Sequence, residues 1–164
     1  MIIPRYTIDV SRIPNAGRGV ILAEAVRRAA VIVAPTDVRA VNVLRRAMLE
    51  RLPHDSIERR TSLRWFEDFY TIDPDWSDEC YINHSFEPTG LWHLGFVFAL
   101  RDLEAGEEVT IDYRLLAEED ERLDFDDALT GRSIVGMSWR DNVLHTTRAL
   151  QALMLGGEME RRCA

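Results

Sequence analysis

Tyr81-Ile82-Asn83-His84-Ser85-Phe86-Glu87-Pro88-Thr89 is followed by Phe98-Ala99-Leu100-Arg101-Asp102-Leu103-Glu104-Ala105-Gly106-Glu107-Glu108-Val109-Thr110-Ile111-Asp112-Tyr113, and the two stretches carry most of the chain's clustered polar and apolar signals. Residues 91–100 form a strong strand candidate, and Glu104-Ala105-Gly106-Glu107 is turn chemistry. Residues 108–113 alternate polar and apolar side chains, the pattern of a half-buried strand.

Working outward, Tyr6-Thr7-Ile8-Asp9-Val10 is rich in strand formers, and 20–23 and 31–34 resume as strands. Between them, Pro14-Asn15-Ala16-Gly17-Arg18-Gly19 is a turn. Thr36 or Asp37 is placed to cap a helix running to about Leu52, with Val38, Val41, Leu44, Met48 and Leu52 on one face and Pro53 ending it. Residues 54–62 read as a polar loop, and 63–72, with Trp65, Phe66, Phe69 and Tyr70, as a strand. Residues 117–127 are dominated by Glu and Asp, the least core-like part of the chain. Ser138-Trp139-Arg140-Asp141 opens a helix carrying a stripe of Val143, Leu144, Thr147, Leu150, Leu153 and Met154, with Gly156-Gly157 as its stop.

The 164 residues amount to one domain with ordinary globular composition, 46% hydrophobic and 29% charged. No apolar run reaches the length of a membrane-spanning helix, and the first residues lack a secretory signal, so the expected setting is cytoplasmic, without membrane partners. Two cysteines, Cys80 and Cys163, make neither a disulfide framework nor a four-cysteine zinc site. Asp and Glu outnumber Lys and Arg by 28 to 20, a net charge of −8, which disfavours direct nucleic-acid binding and favours a basic partner. All 20 basic residues are arginine; there is no lysine. Codon bias explains this.

Taken bare, no motif is decisive. Gly17-Arg18-Gly19 falls short of a dinucleotide fingerprint and reads as a glycine-opened turn. Nothing orients a cysteine–histidine nucleophile pair, and Asp78, Glu79, Cys80 and His84 have a ligand spacing common by chance, so no metal is expected. Glu107, Glu108 and Asp112 are explained by a solvated turn and strand face before any paired-carboxylate chemistry.

Read together, three segments say more. The stretch 81–89 resembles the R-F-I-N-H-S-C-x-P-N signature of SET-domain protein lysine methyltransferases, 98–113 is similar to that family's A-x-R-D-I-x-x-G-E-E-L-T-x-D-Y block, and Gly17-Arg18-Gly19-Val20 sits where its N-terminal G-x-G turn belongs. The order is the family's order, and the match covers about residues 8–116. The resemblance implies an α+β, strand-rich fold of small twisted sheets around a pseudoknot, with an inserted helix and a C-terminal helix. The core is then 1–116, with the inserted helix and loop at about 36–62; residues 117–164 supply the acidic segment and a helix closing the site. Segment 81–85 threads a loop covered by 107–113, bringing Asn83, His84 and Tyr113 together.

The resemblance also implies a chemistry: transfer of a methyl group from S-adenosylmethionine to a lysine amine, leaving S-adenosylhomocysteine, without metal. Gly17, Arg18 and Gly19 are expected to approach the cofactor with their backbone, Asn83 to meet its methionine end, and His84 to hold adenine through main-chain groups while its ring bonds internally. Tyr113 occupies the catalytic tyrosine position. Tyr81 and Trp139, with Tyr70 and Ile111, are the expected walls of the lysine channel. Phe86 replaces the family's cysteine and Thr89 its asparagine, and no cysteine-rich zinc module follows, so closure is assigned to the helix from about Ser138. Ile111 stands where Phe or Tyr often tunes methylation degree, and more than one methyl is expected. The expected partner is a basic protein or peptide (histone-like, ribosomal or otherwise Lys/Arg-rich), steered by the acidic stretch 118–127. The alternative is a catalytically silent SET-like module that binds a basic peptide. Oligomeric state is not legible.

Overall fold

The computed structural model describes residues 1–35, 42–72 and 74–162. Strand formers build β1 (Tyr6–Val10), which pairs antiparallel with β2 (Arg18–Leu22) from Tyr6↔Leu22 to Val10↔Arg18. The turn between them needs two left-handed residues, and Asn15 (φ 63°) and Gly17 (φ 76°) supply them. The core strand is β10 (Glu108–Ile111), flanked by β2 antiparallel and by β7 (Asn83–His84) parallel, in the order β1-β2-β10-β7.

A second sheet has the order β3-β9-β8, from β3 (Val31–Val33), β8 (Gly90–His93) and β9 (Phe96–Ala99). A third has the order β4-β6-β5, from β4 (Asn42–Arg45), β5 (Leu63–Phe66) and β6 (Phe69–Ile72). β11 (Arg122–Asp126) and β12 (Ser133–Val135) form a separate ribbon. The apolar core gathers Val20, Leu22, Ile32, Val97, Leu103 and Val109 beneath the first two sheets.

Several expectations change. Residues 36–41, with the Thr36 and Asp37 cap, lie outside the described residues. The helix expected to continue from there gives way to strand β4, and helix is confined to α1 (Arg46–Leu49). The expected loop 54–62 contains a second helical turn, α2 (Ile57–Arg60), capped by the Ser56 side chain accepting from the Arg59 N–H. Both long strand candidates are hairpins. Leu94 (φ 51°) and Gly95 (φ 87°) turn one, and Glu67 (φ 46°) turns the other. A left-handed Leu or Glu leaves no turn signal in sequence.

β10 is not half-buried: all four of its residues are buried. Its polar side chains bond inward. Thr110 and Thr89 exchange two bonds, amide to hydroxyl in each direction, at 2.9 and 3.0 Å. The Thr89 hydroxyl also donates to the Glu108 carbonyl at 3.0 Å.

α3 (Trp139–Arg162) starts where expected, with Ser138 Oγ accepting from the Asp141 N–H, but it runs through Gly156 and Gly157. Its buried stripe is rotated from the expected one. Asn142, Thr146 and Leu153 face inward, while Leu144 and Met154 are exposed. Two polar contacts set this rotation: Asn142 Nδ2 donates to the Leu115 carbonyl, and Thr146 Oγ1 lies 2.8 Å from His93 Nδ1 on β8. No helix among the described residues is long and apolar enough to cross a membrane.

Candidate functional site

The parallel β7–β10 pair puts Asn83 opposite Thr110 and His84 opposite Ile111. Past β10, Asp112 caps a short 3-10 turn, Tyr113–Leu115, by accepting from the Arg114 N–H at 3.0 Å. The turn swings Tyr113 back over β7. Its hydroxyl donates to the Ile82 carbonyl at 2.6 Å and its backbone N–H donates to His84 Nδ1 at 3.1 Å. Burial, with Cys80 adding to it, pushes the Tyr113 phenol up to about 12, so it stays protonated near neutral pH.

His84 accepts at Nδ1, so the neutral ring carries its proton on Nε2, which faces Asp127 Oδ1 at 3.6 Å. Burial holds this imidazole below its ordinary range, against the opposing pull of Asp112 and Asp127. Burial pushes the Asp127 carboxyl up, but the Thr130 hydroxyl (2.6 Å) and amide (2.7 Å) outweigh it and hold the group below the usual carboxylate range.

Asn83, His84, Ile111, Tyr113 and Tyr70 share one cleft of about 1170 Å³. The turn residues 13–16 line it, as do residues 118–121 and 125–128. The Tyr70 hydroxyl and His84 Nε2 are buried there without a hydrogen-bond partner among the described residues. The walls are rich in carboxylates, including Glu118, Glu119, Asp120, Glu121, Asp126 and Asp127. Arg46, also in the lining, is tied to Glu50 at 2.8 Å and Glu118 at 2.7 Å.

Five expected site residues do not line the cleft: Gly17, Arg18, Gly19, Tyr81 and Trp139. The Arg18 carbonyl accepts from Asn83 Nδ2 at 2.9 Å, while its guanidinium lies 5.0 Å over the Tyr81 ring. Tyr81 packs on Arg18 and edge-on to Trp76. Gly19 abuts protein: a Cβ there would stand 2.2 Å from Glu108 Oε1. Trp139 opens α3, and no residue of that helix is among the described residues that line the cleft.

The last third of the chain reaches the cleft through the β11–β12 ribbon and the segments beside it. Phe125 stands edge-on to Tyr113 at 6.3 Å, Asp127 faces His84, and the Arg132 guanidinium lies 4.6 Å from the Phe86 ring. Phe86 takes Arg114 too, at 4.8 Å, and meets His84 edge-on at 4.7 Å. The acidic count of 117–127 hides this ribbon in sequence. The alternation at 122–126 and the turn at Gly131 (φ 67°) are the signals that mark it. Asp78, Glu79, Cys80 and His84 are not gathered into a metal-holding group among the described residues.

The SET-domain family model matches residues 17–114, more than half of the chain, and the chain belongs to that family. Members of this family are generally protein lysine methyltransferases. In structure the chain is similar to a chain of an active polycomb repressive complex 2 in the basal state, at 16% identity and TM-score 0.55, covering 67% of this chain and 15% of that one. It is similar also to a chain of the Chaetomium thermophilum polycomb repressive complex 2, at 17% identity and TM-score 0.53, with the same coverages of 67% and 15%. At such identity the likeness establishes the fold, and this chain spans a small part of those chains' length. No curated protein matches it in sequence.

Proposed function

We propose that the protein transfers a methyl group from S-adenosylmethionine to the side-chain amine of lysine in a basic protein or peptide. The observation that carries this reading is the convergence of Asn83, His84 and Tyr113 on one cleft, through the β7–β10 pairing and the return of Tyr113 onto Ile82. The residues fit the cofactor. The cleft has room for it, Asn83 Oδ1 accepts from none of the described residues, and Tyr70 Oη, a buried polar atom of the wall, has no hydrogen-bond partner among them. When bound, the cofactor supplies an electrophilic methyl on a cationic sulfur.

The chain's own residues do the rest. A lysine nucleophile must be neutral, and deprotonating one near pH 7 costs about 4–5 kcal/mol in water. Burial keeps the Tyr113 phenol protonated, so the lysine ammonium gives up its proton to water and Tyr113 meets the neutral amine. The Tyr113 proton is committed to the Ile82 carbonyl, so the phenolic oxygen offers a lone pair that orients an incoming amine N–H. Ile111 presents an aliphatic wall without a hydroxyl, which supports room for more than one methyl. The carboxylates of 118–121 and 126–127 support a Lys/Arg-rich substrate.

The test is calorimetric titration with S-adenosylmethionine and S-adenosylhomocysteine, then mass spectrometry of basic proteins incubated with enzyme and cofactor. The expected result is binding of both and methylated lysine. Binding of a basic peptide without methyl transfer establishes the silent module, and no binding of either cofactor form overturns the reading.

A further inference from the structure

The Asn83 amide carries two N–H donors and one carbonyl acceptor. Nδ2 spends both hydrogens inside the protein, on the Arg18 carbonyl at 2.9 Å and on Glu108 Oε1 at 2.9 Å. Both partners are acceptors, so the flipped amide would set oxygen against oxygen twice. The amide orientation is therefore imposed by its surroundings, and only Oδ1 is left for the cleft that Asn83 lines.

Glu108 is the less ordinary partner. It lies on the fully enclosed strand β10, only 6% exposed, and its carboxylate faces no Lys or Arg ion pair among the described residues. Instead it accepts from Ser11 Oγ at 2.8 Å, from the Arg12 N–H at 2.7 Å and from Asn83. Space for it is kept by the missing side chain of Gly19. A buried carboxylate met only by hydrogen-bond donors is a purely accepting anchor, which neither an amide nor a hydroxyl reproduces.

We propose that Glu108 is a positioning residue: acting through Asn83, it locks the amide so that a carbonyl oxygen alone faces the cleft, and so selects ligands that bring an ammonium group to that point. It also ties Ser11 and Arg12, just before the cleft-lining turn 13–16, to the same strand. The inference rests on the cofactor reading above, because the ammonium is that of the cofactor's amino-acid end.

The experiment titrates wild type and Glu108→Gln with S-adenosylhomocysteine and with its analogue lacking the α-amino group. Gln keeps the shape but turns one acceptor into a donor, facing Asn83 or the Arg12 amide. Wild type is expected to prefer the amino compound roughly ten- to hundredfold. In Glu108→Gln that preference collapses, while affinity for the analogue stays near wild type. A folded Glu108→Gln protein that retains the full preference overturns the positioning role. Wild type binding neither compound overturns the cofactor reading and this selection with it.

Should the variant not fold, wild-type NMR decides. The Asn83 side-chain amide hydrogens are expected to exchange slowly before any ligand is added, and fast exchange overturns the proposal.

Discussion

At the scale of single residues, Gly19 and Tyr113 show how closely the site depends on individual atoms. Gly19 has no left-handed backbone to justify it; it is required because Glu108 stands where its Cβ would be. Gly19→Ala must displace a hydrogen-bonded buried carboxylate, and it is expected to destabilise the fold by about 1–3 kcal/mol, measured by urea unfolding. An Ala variant of wild-type stability refutes that packing. Tyr113→Phe removes the donor to the Ile82 carbonyl, with an expected stability loss of about 1 kcal/mol. Methyl transfer should fall about a hundredfold or more while S-adenosylhomocysteine still binds. Turnover unchanged in that variant counts against the assigned role.

At the scale of elements, the β11–β12 ribbon rather than α3 stands over the site. Three consecutive contacts define it: Phe125 on Tyr113, Asp127 on His84 and Arg132 on Phe86. Phe86 sits between two guanidiniums, and each such contact contributes about 0.5–1 kcal/mol. Phe86→Leu keeps apolar bulk and loses both. Only the Arg132 contact belongs to the ribbon, so backbone hydrogen exchange should accelerate roughly two- to fivefold in 122–135 and stay unchanged in the β1–β2 hairpin. Uniform acceleration across the chain would instead mark Phe86 as ordinary core. α3 packs elsewhere, through Asn142 on Leu115 and Thr146 on His93.

At the scale of the whole molecule, protonation and charge set the working conditions. His84 and His93 are both held below the ordinary imidazole range, chiefly by burial. The unfolded chain therefore binds protons that the native state excludes. Stability is greatest above about pH 6.5 and is lost as pH falls from there through the folded values. Unfolding temperature should drop on acidification from pH 7 to pH 5, and His93→Gln should flatten that slope. A slope unchanged in that variant excludes His93 as a contributor. With a net charge of −8 and carboxylates lining the cleft, association of a basic peptide should slow as salt rises from about 50 to about 500 mM. A salt-independent rate makes the acidic segment merely solubilising.

The strands at 6–10 and 20–23 were legible in the sequence because they rest on local chemistry, although β2 begins at Arg18, inside the expected turn; the family was legible as a resemblance carried by several motifs in their order. So was the start of α3, where Ser138 caps as its type predicts. What neighbours decide was not legible. Alternation suggested a half-solvated β10, but Ser11 and Arg12 cover Glu108 and Thr89 covers Thr110. The apolar stripe of α3 suggested Leu144 and Met154 as inward-facing, but partners on β8 and at Leu115 bury Thr146 and Asn142 instead. The residue types limit which groups the site can use; the fold sets which of their atoms remain available. A side chain's type sets its donors and acceptors, while long-range partners such as Ile82 for Tyr113, and Arg18 and Glu108 for Asn83, determine which are already taken.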